Sequence, residues 1–156
     1  MADDTYTVVR TASVDAPPER VYEQLVDFRN WTNWSPWEDV DPDLDRTYSG
    51  AETGVGSVYE WSGNRKAGRG RMEIVEAVPP SLVRIDLRFL KPFKSTTDCV
   101  FEVVPEGSGS HVTWRMTGPR SFLLKVMNIF TSMDKMIGPD FEKGLARLKA
   151  TTETRA

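Results

Sequence analysis

The side chains able to carry chemistry in this sequence are few, and their spacing excludes more than it offers. There is one histidine, His111, and one cysteine, Cys99. His111 stands at the edge of the turn-rich stretch Pro105-Glu106-Gly107-Ser108-Gly109-Ser110, which reads as a hairpin loop, so any serine–histidine–acid relay has to be built there. A solvated loop histidine accounts for the same pattern with nothing added. A lone Cys and a lone His make no zinc cluster, and neither a metal nor an organic cofactor is expected. Cys99 is followed by Val100 and Phe101 in a strand-like stretch, where a thiol serves as a small buried apolar group rather than as a nucleophile. Asp41, Asp43, Asp45 and Glu52 fall at calcium-loop offsets, yet Arg46 replaces the turn glycine and no helix pair flanks them. A solvated loop and strand face is the reading there. The pairs Gly54/Gly56 and Gly68/Gly70 open no helix and form no phosphate cradle; turns and strand bends explain them. Arg69, Arg71 and Arg88 are suited to assisting proton transfers, but they alternate with apolar residues that must face a core, which sends them outward. Catalytic residues are therefore left unassigned.

The chemistry that remains is apolar and aromatic, and periodicity predicts the elements that position it. Residues Tyr6 to Val14 alternate as a strand, with Tyr6, Val8, Ala12 and Val14 on one face and Val9 and Arg10 blurring the pattern. The prolines of Asp15-Ala16-Pro17-Pro18-Glu19 fit a helix's first turn and Glu19 suits its positive end, so a short helix runs through Val21, Tyr22, Leu25 and Val26. Asp27 to Trp37 gathers Trp31, Trp34 and Trp37 and predicts a second helical turn, ended by Pro36. Strands are predicted at Leu44–Tyr48, Ser57–Trp61, Gly68–Glu76, Leu82–Phe89, Thr97–Val104 and His111–Thr117. They are consecutive and turn-linked, hence antiparallel, six or seven in all. From Ser121 the period turns helical: Val126, Phe130, Met133, Ile137, Phe141, Leu145 and Leu148 step by three or four. About 30 helical residues would span roughly 45 Å, so Gly138-Pro139 is expected to kink or break the helix to let it follow the sheet. The expected class is α+β: one domain over residues 1–156, a curved antiparallel six- to seven-stranded sheet around a long C-terminal helix, with two short helices after the first strand.

Composition narrows the partners. A net charge of −3 offers no basic field for phosphate, so neither nucleic acid nor an anionic membrane is an expected partner. The acidic start, Met-Ala-Asp-Asp-Thr, does not read as a secretory or transit signal. The most apolar stretch, Phe122 to Phe130, is interrupted by Lys125 and Asn128 and falls short of the roughly 20 residues of a membrane span. A cytoplasmic protein without stable membrane insertion, monomeric or homodimeric, is the expectation.

Several local motifs, in their order and spacing, carry a resemblance. They are Val14-Asp15-Ala16-Pro17-Pro18-Glu19-Arg20-Val21-Tyr22, then Trp34-Ser35-Pro36-Trp37, Gly54-Val55-Gly56, Trp61-Ser62-Gly63-Asn64, Val112-Thr113-Trp114, and Gly138-Pro139-Asp140-Phe141-Glu142-Lys143-Gly144-Leu145. Over nearly its whole length the chain resembles the helix-grip (SRPBCC) superfamily, which contains START lipid-transfer domains, Bet v 1-type plant proteins and bacterial polyketide cyclase/dehydrase-like proteins. That resemblance implies a cavity between the concave sheet face and the long helix. Inward parity then assigns its lining to Tyr59, Trp61, Met72, Ile74, Ile85, Leu87, Phe89, Phe101, Trp114 and Met116, with Met127, Phe130, Met133, Ile137 and Phe141 from the helix. Trp34 and Trp37 are placed at the cavity mouth, core packing being the other reading of the same cluster. Gly144, on the inner side of the helix, leaves room for a ligand or for close sheet packing, and Tyr59, Trp61 and Thr97 are positioned to orient a ligand. The expected partner is a hydrophobic small molecule: a lipid, an isoprenoid or a polyketide-like compound. An aromatase/cyclase-type enzyme and a co-chaperone-like interaction module are the alternatives the superfamily leaves open.

Overall fold

Alternation along β1 (Thr5–Val14) buries Tyr6, Val8 and Val14 and leaves Thr7, Thr11 and Ser13 in solvent. The computed structural model describes residues 5–35, 43–63, 68–91, 95–119 and 133–154. After β1, Pro17 in an extended conformation leads into α1 (Pro18–Val26), with proline in its first turn and Glu19 near its positive end. Asp27 ends α1, and its carboxylate accepts from the Arg29 N–H at 3.0 Å, opening a 3-10 helix at Phe28–Asn33. The chain then enters β2 (Asp45–Gly50) and runs through β3 (Ser57–Ser62), β4 (Arg69–Val78), β5 (Leu82–Lys91), β6 (Ser95–Glu106) and β7 (Gly109–Pro119) before α2 (Met133–Thr154).

All seven strands lie in one antiparallel sheet, ordered β1-β7-β6-β5-β4-β3-β2. The crossover from β1 to β2 carries the chain from one edge to the other, and α1 and the 3-10 helix lie along that path. Two register shifts between β4 and β5 bend the sheet. One falls between Ile74 and Glu76, where Val75 is left unpaired and 44% exposed. On the outer face the charges pair with one another: Arg84 with Glu76 and Asp98, Arg115 with Glu102, Arg88 with Asp86. Such exposed pairs each contribute about 0–1 kcal/mol, so the inner face holds the fold together.

That inner face packs against the helices. α2 lies chiefly along β1, with Phe141, Leu145 and Leu148 fully buried and Gly144 buried beside them. Its final turns are fastened by the Thr151 hydroxyl donating to the Asn33 carbonyl, Arg147 to the Ser35 carbonyl, and the Asp15 N–H to Glu153. Near its start, Gly138 makes room for the Arg10 guanidinium, on which a Cβ at that position would collide, and Arg10 Nε donates to Glu142 Oε2 at 2.8 Å.

Three expectations need correction. The hairpin between β6 and β7 turns on Gly107 and Ser108 alone rather than on six residues, because Glu106 already pairs with Gly109. Gly109 and Ser110 have loop-like composition yet are packed: a Cβ on Gly109 would strike the Val14 carbonyl, and the Ser110 hydroxyl donates to the Ala16 carbonyl at 2.6 Å. Second, α2 continues through Pro139, so of the kink or break expected at Gly138-Pro139 the break is excluded. Third, the β2 strand starts at Asp45, one residue later than expected. The predicted helical stretch from 121 to 132 lies outside the described residues.

Gly50 closes β2 at a φ of 71°, and a Cβ there would collide with the Gly56 carbonyl. Gly50→Ala is expected to cost about 1–3 kcal/mol, seen as a lower urea midpoint with an unchanged slope. An unchanged midpoint would contradict this turn geometry.

Candidate functional site

The concave face divides into two regions, and aromatic side chains run through both. In the first, Trp114 at the centre of β7 stacks on Phe141 of α2 (3.9 Å between ring centroids) and on Phe101 of β6 (4.9 Å). Trp34 meets Trp114 and Phe101 edge-on, and Trp31 lies 4.7 Å from Trp34. Both of these indoles serve α1: Trp31 Nε1 donates to the Leu25 carbonyl at 3.0 Å and Trp34 Nε1 to the Gln24 carbonyl at 3.1 Å. A helix end leaves its last carbonyls without intrahelical partners, and a buried indole N–H needs an acceptor, so each solves the other's problem. Trp34 is fully buried by this arrangement; of the two positions considered for it, the structure places it in the core rather than at a mouth.

The second region lies toward the opposite end of the sheet, across β3, β4 and β5. The register sets Trp61 of β3 opposite Gly70 of β4, and Gly70 opposite Phe89 of β5. Gly70 has no side chain where one would strike the Trp61 indole, so the indole lies over the β4 backbone as a platform. Phe89 stands edge-on to it at 6.0 Å and 84°. Tyr59 joins Trp61 at 6.2 Å and links back to Phe28 and Tyr48, the latter under the Arg29 guanidinium. Unlike the first region, Trp61, Phe89, Met72 and Tyr48 keep part of their surface exposed. Toward β6 and β1 this region ends at Thr97 and Tyr6, which are buried.

Of the residues assigned to a lining, Tyr59, Ile74, Ile85, Leu87, Phe101, Trp114, Met116 and Phe141 are buried on the inner side, and Trp61, Met72 and Phe89 are half-buried there. Met133 and Ile137 lie in α2 with side chains outside the described residues, and Trp37, Met127 and Phe130 lie outside them altogether. Sequence reasoning missed Tyr6 and Arg46 as members of this face. Arg46 is set opposite Trp61 by the β2–β3 register and is half-buried, a position that only pairing reveals. It also read Gly70 as a bend, whereas Gly70 seats an indole.

The groups that would mark a hydrolase or metal enzyme are not arranged as one. Ser13 donates to Glu106 Oε1 at 2.7 Å, and His111 Nδ1 lies 3.5 Å from Glu106 Oε2. The carboxylate thus stands between serine and imidazole, whereas a nucleophilic relay needs the imidazole in the middle. Asp45 begins β2 and Glu52 follows its other end, so a strand separates two of the supposed calcium ligands. Among the described residues no group of three or more His, Cys, Asp or Glu side chains is placed to hold a metal ion. Arg71 pairs with Glu73 and Arg88 with Asp86, and Arg69 is exposed, as alternation predicts.

Residues 5–153 match the family model described as polyketide cyclase / dehydrase and lipid transport. Among solved structures, protein CV1439 from Chromobacterium violaceum superposes with a TM-score of 0.68 at 19% identity, covering 94% of this chain and 96% of that one. The Aha1 dimer from Colwellia psychrerythraea gives 0.62 at 18% identity, covering 94% and 96%. DynU16, from the dynemicin biosynthetic locus, gives 0.65 at 17% identity, covering 95% of this chain and 47% of its own. These likenesses are likenesses of fold, the helix-grip fold that this chain builds on seven strands. No curated protein sequence matches the chain. Among the described residues no helix is long and apolar enough to cross a membrane.

Cys99 is buried beneath Trp114, whose Nε1–H donates to its sulfur at 3.2 Å, and burial pushes the thiol up to about 12. It should resist a disulfide-exchange reagent at pH 8 in the folded protein and react fully once urea unfolds the chain. An exposed cysteine ionises near 9.0, so the contribution of the neutral buried thiol is complete below that pH and is lost as pH rises toward 12. Rapid labelling of the folded protein at pH 8 would contradict this placement.

Proposed function

This chain belongs to the polyketide cyclase / dehydrase and lipid transport family, and we propose that it binds a flat hydrophobic small molecule against the Trp61 platform. The observation that carries the reading is the contrast between the two regions of one face. Around Trp114 every aromatic ring is fully packed, whereas Trp61, Phe89 and Met72 form an apolar platform and wall that keep exposed surface. Exposed aromatic surface on a concave face is where a ring-bearing ligand gains most by stacking and by leaving water. Methionine at the platform's margin adapts to ligands of differing outline.

Carriage of such a molecule is favoured over its cyclisation. Chemistry on a polyketide chain needs a group that moves a proton beside the bound ring; Arg69, Arg71 and Arg88 are turned to the outer face, and Arg46, opposite Trp61, carries a guanidinium that stays protonated and cannot serve as a base. The Tyr6 phenol on the inner face is raised above its usual value, chiefly by burial, which keeps it protonated and a poor base at neutral pH. The family description, polyketide cyclase / dehydrase and lipid transport, supports a polyketide-like ligand, held here without turnover.

Native mass spectrometry of freshly purified protein, followed by extraction, should reveal a hydrophobic adduct released on denaturation. In calorimetric titration with 2-acetylanthracene, Trp61→Ala is expected to weaken binding by about tenfold or more, the combined loss of stacking and buried area. Equal affinity in wild type and Trp61→Ala would reject the platform as the site.

A further inference from the structure

Thr97 is buried on the inner face of β6 at 1% exposure, and its hydroxyl has no hydrogen-bond partner among the described residues. A hydroxyl removed from water and left unbonded is costly, and native structures keep one where something else supplies the bond. Gly118 of β7 lies between Thr97 and Tyr6 of β1: a Cβ built there would stand 2.8 Å from the Tyr6 hydroxyl and 3.0 Å from Thr97 Oγ1. The missing side chain lets two hydroxyls from different strands converge, without meeting in hydrogen-bond geometry. Burial raises the Tyr6 phenol, the nearby Thr97 hydroxyl offsetting part of the effect, so both groups are neutral O–H donors at physiological pH.

The inward neighbours Leu87, Cys99 and Met116 are apolar and buried. The inward cation of β1, Arg10, lies two inward positions further along the strand and is engaged by Glu142 at 2.8 Å. Among the described residues a carboxylate at Thr97 would thus lose its water and gain no cation, an expensive exchange, whereas a ketone or hydroxyl oxygen accepts from both hydroxyls. The two ends are also correctly spaced. The Trp61 indole lies over Gly70 of β4, two strand spacings or roughly 10 Å from β6, so a molecule of three fused rings carrying a ketone reaches from it past Leu87 to Thr97.

We infer that Thr97 and Tyr6 form the polar end of the ligand site and select an uncharged oxygen, ketone or hydroxyl, on a molecule whose rings lie against Trp61 and Phe89. This rests on the binding reading above and adds the ligand's class: neutral oxygenated polycyclic compounds rather than fatty acids.

The test uses three probes of one shape, 2-acetylanthracene, 2-ethylanthracene and anthracene-2-carboxylate, titrated calorimetrically into the full chain. Wild type is expected to bind the ketone about tenfold more tightly than the ethyl compound and to bind the carboxylate more weakly than the ketone. Thr97→Val, nearly isosteric, and Tyr6→Phe should each reduce the ketone's advantage about threefold or more while leaving 2-ethylanthracene affinity within about twofold; Thr97→Ser should restore it. Circular dichroism and melting temperature identify any variant that fails to fold, and the conservative Thr97→Ser and Thr97→Val pair then decides. A ketone preference that survives Thr97→Val, as when a water alone satisfies the hydroxyl, overturns the inference, as does tightest binding of the carboxylate. Binding of all three without preference refutes this inference and leaves the binding reading standing. Binding of none refutes both.

Discussion

The stack of Phe141 on Trp114 is the contact on which the rest of the molecule depends. It joins the C-terminal helix to the centre of β7, and Phe101 and Trp34 pack around the same indole. Each buried aromatic removes on the order of 150–250 Å² from water, so this cluster outweighs any number of the exposed ion pairs on the outer face. It also settles polar obligations that would otherwise oppose burial. Trp114 donates to Cys99, while Trp31 and Trp34 donate to the carbonyls at the end of α1. A single aromatic mass therefore fixes the sheet, α1, α2 and the 3-10 helix relative to one another.

Among the described residues, that concentration leaves the inner side chains of β3 and the facing parts of β4 and β5 outside the cluster. Bulges bend β4 against β5, and the inner side chains of the strands away from the cluster pass from fully buried to half-exposed. Gly70 and Gly118 matter here in the same way: each omits a side chain on the inner face, one under the Trp61 indole and the other between the hydroxyls of Tyr6 and Thr97. The result is a region with a flat aromatic floor, an aromatic wall and neutral hydroxyls at one side, set on a continuous hydrogen-bonded sheet. Preorganised surfaces of that kind gain affinity because little ordering remains to be done on binding.

Much of this was legible from alternation and punctuation. Leu82 to Phe89 places Val83, Ile85 and Leu87 inward and Arg84 and Arg88 outward, and the structure keeps that division. The prolines before Glu19 start a helix where their fixed φ predicts. What stayed hidden depends on partners distant in sequence. Arg10 seemed to spoil its strand's pattern, yet it faces inward to reach Gly138 and Glu142, 132 residues away. The spacing of Trp34 fitted a core position as well as a cavity mouth, and only the Gln24 carbonyl behind it explains its burial. Gly109 and Ser110 resembled loop residues, since composition does not report the close approach of Val14 and Ala16. Thr97 alternated correctly, but nothing in the sequence shows that its hydroxyl would lack a partner among the described residues.

The central claim is that the Trp61 region, and not the cluster around Trp114, receives a ligand. Tryptophan indole N–H groups report on this individually in a ¹⁵N–¹H correlation spectrum assigned by substitution. On addition of 2-acetylanthracene the account predicts a large shift of the Trp61 indole resonance from ring-current and stacking changes, with the Trp34 and Trp114 resonances nearly unmoved in their packed sites. A Trp61 resonance that stays in place at saturating probe, or shifts confined to Trp34 and Trp114, would contradict it.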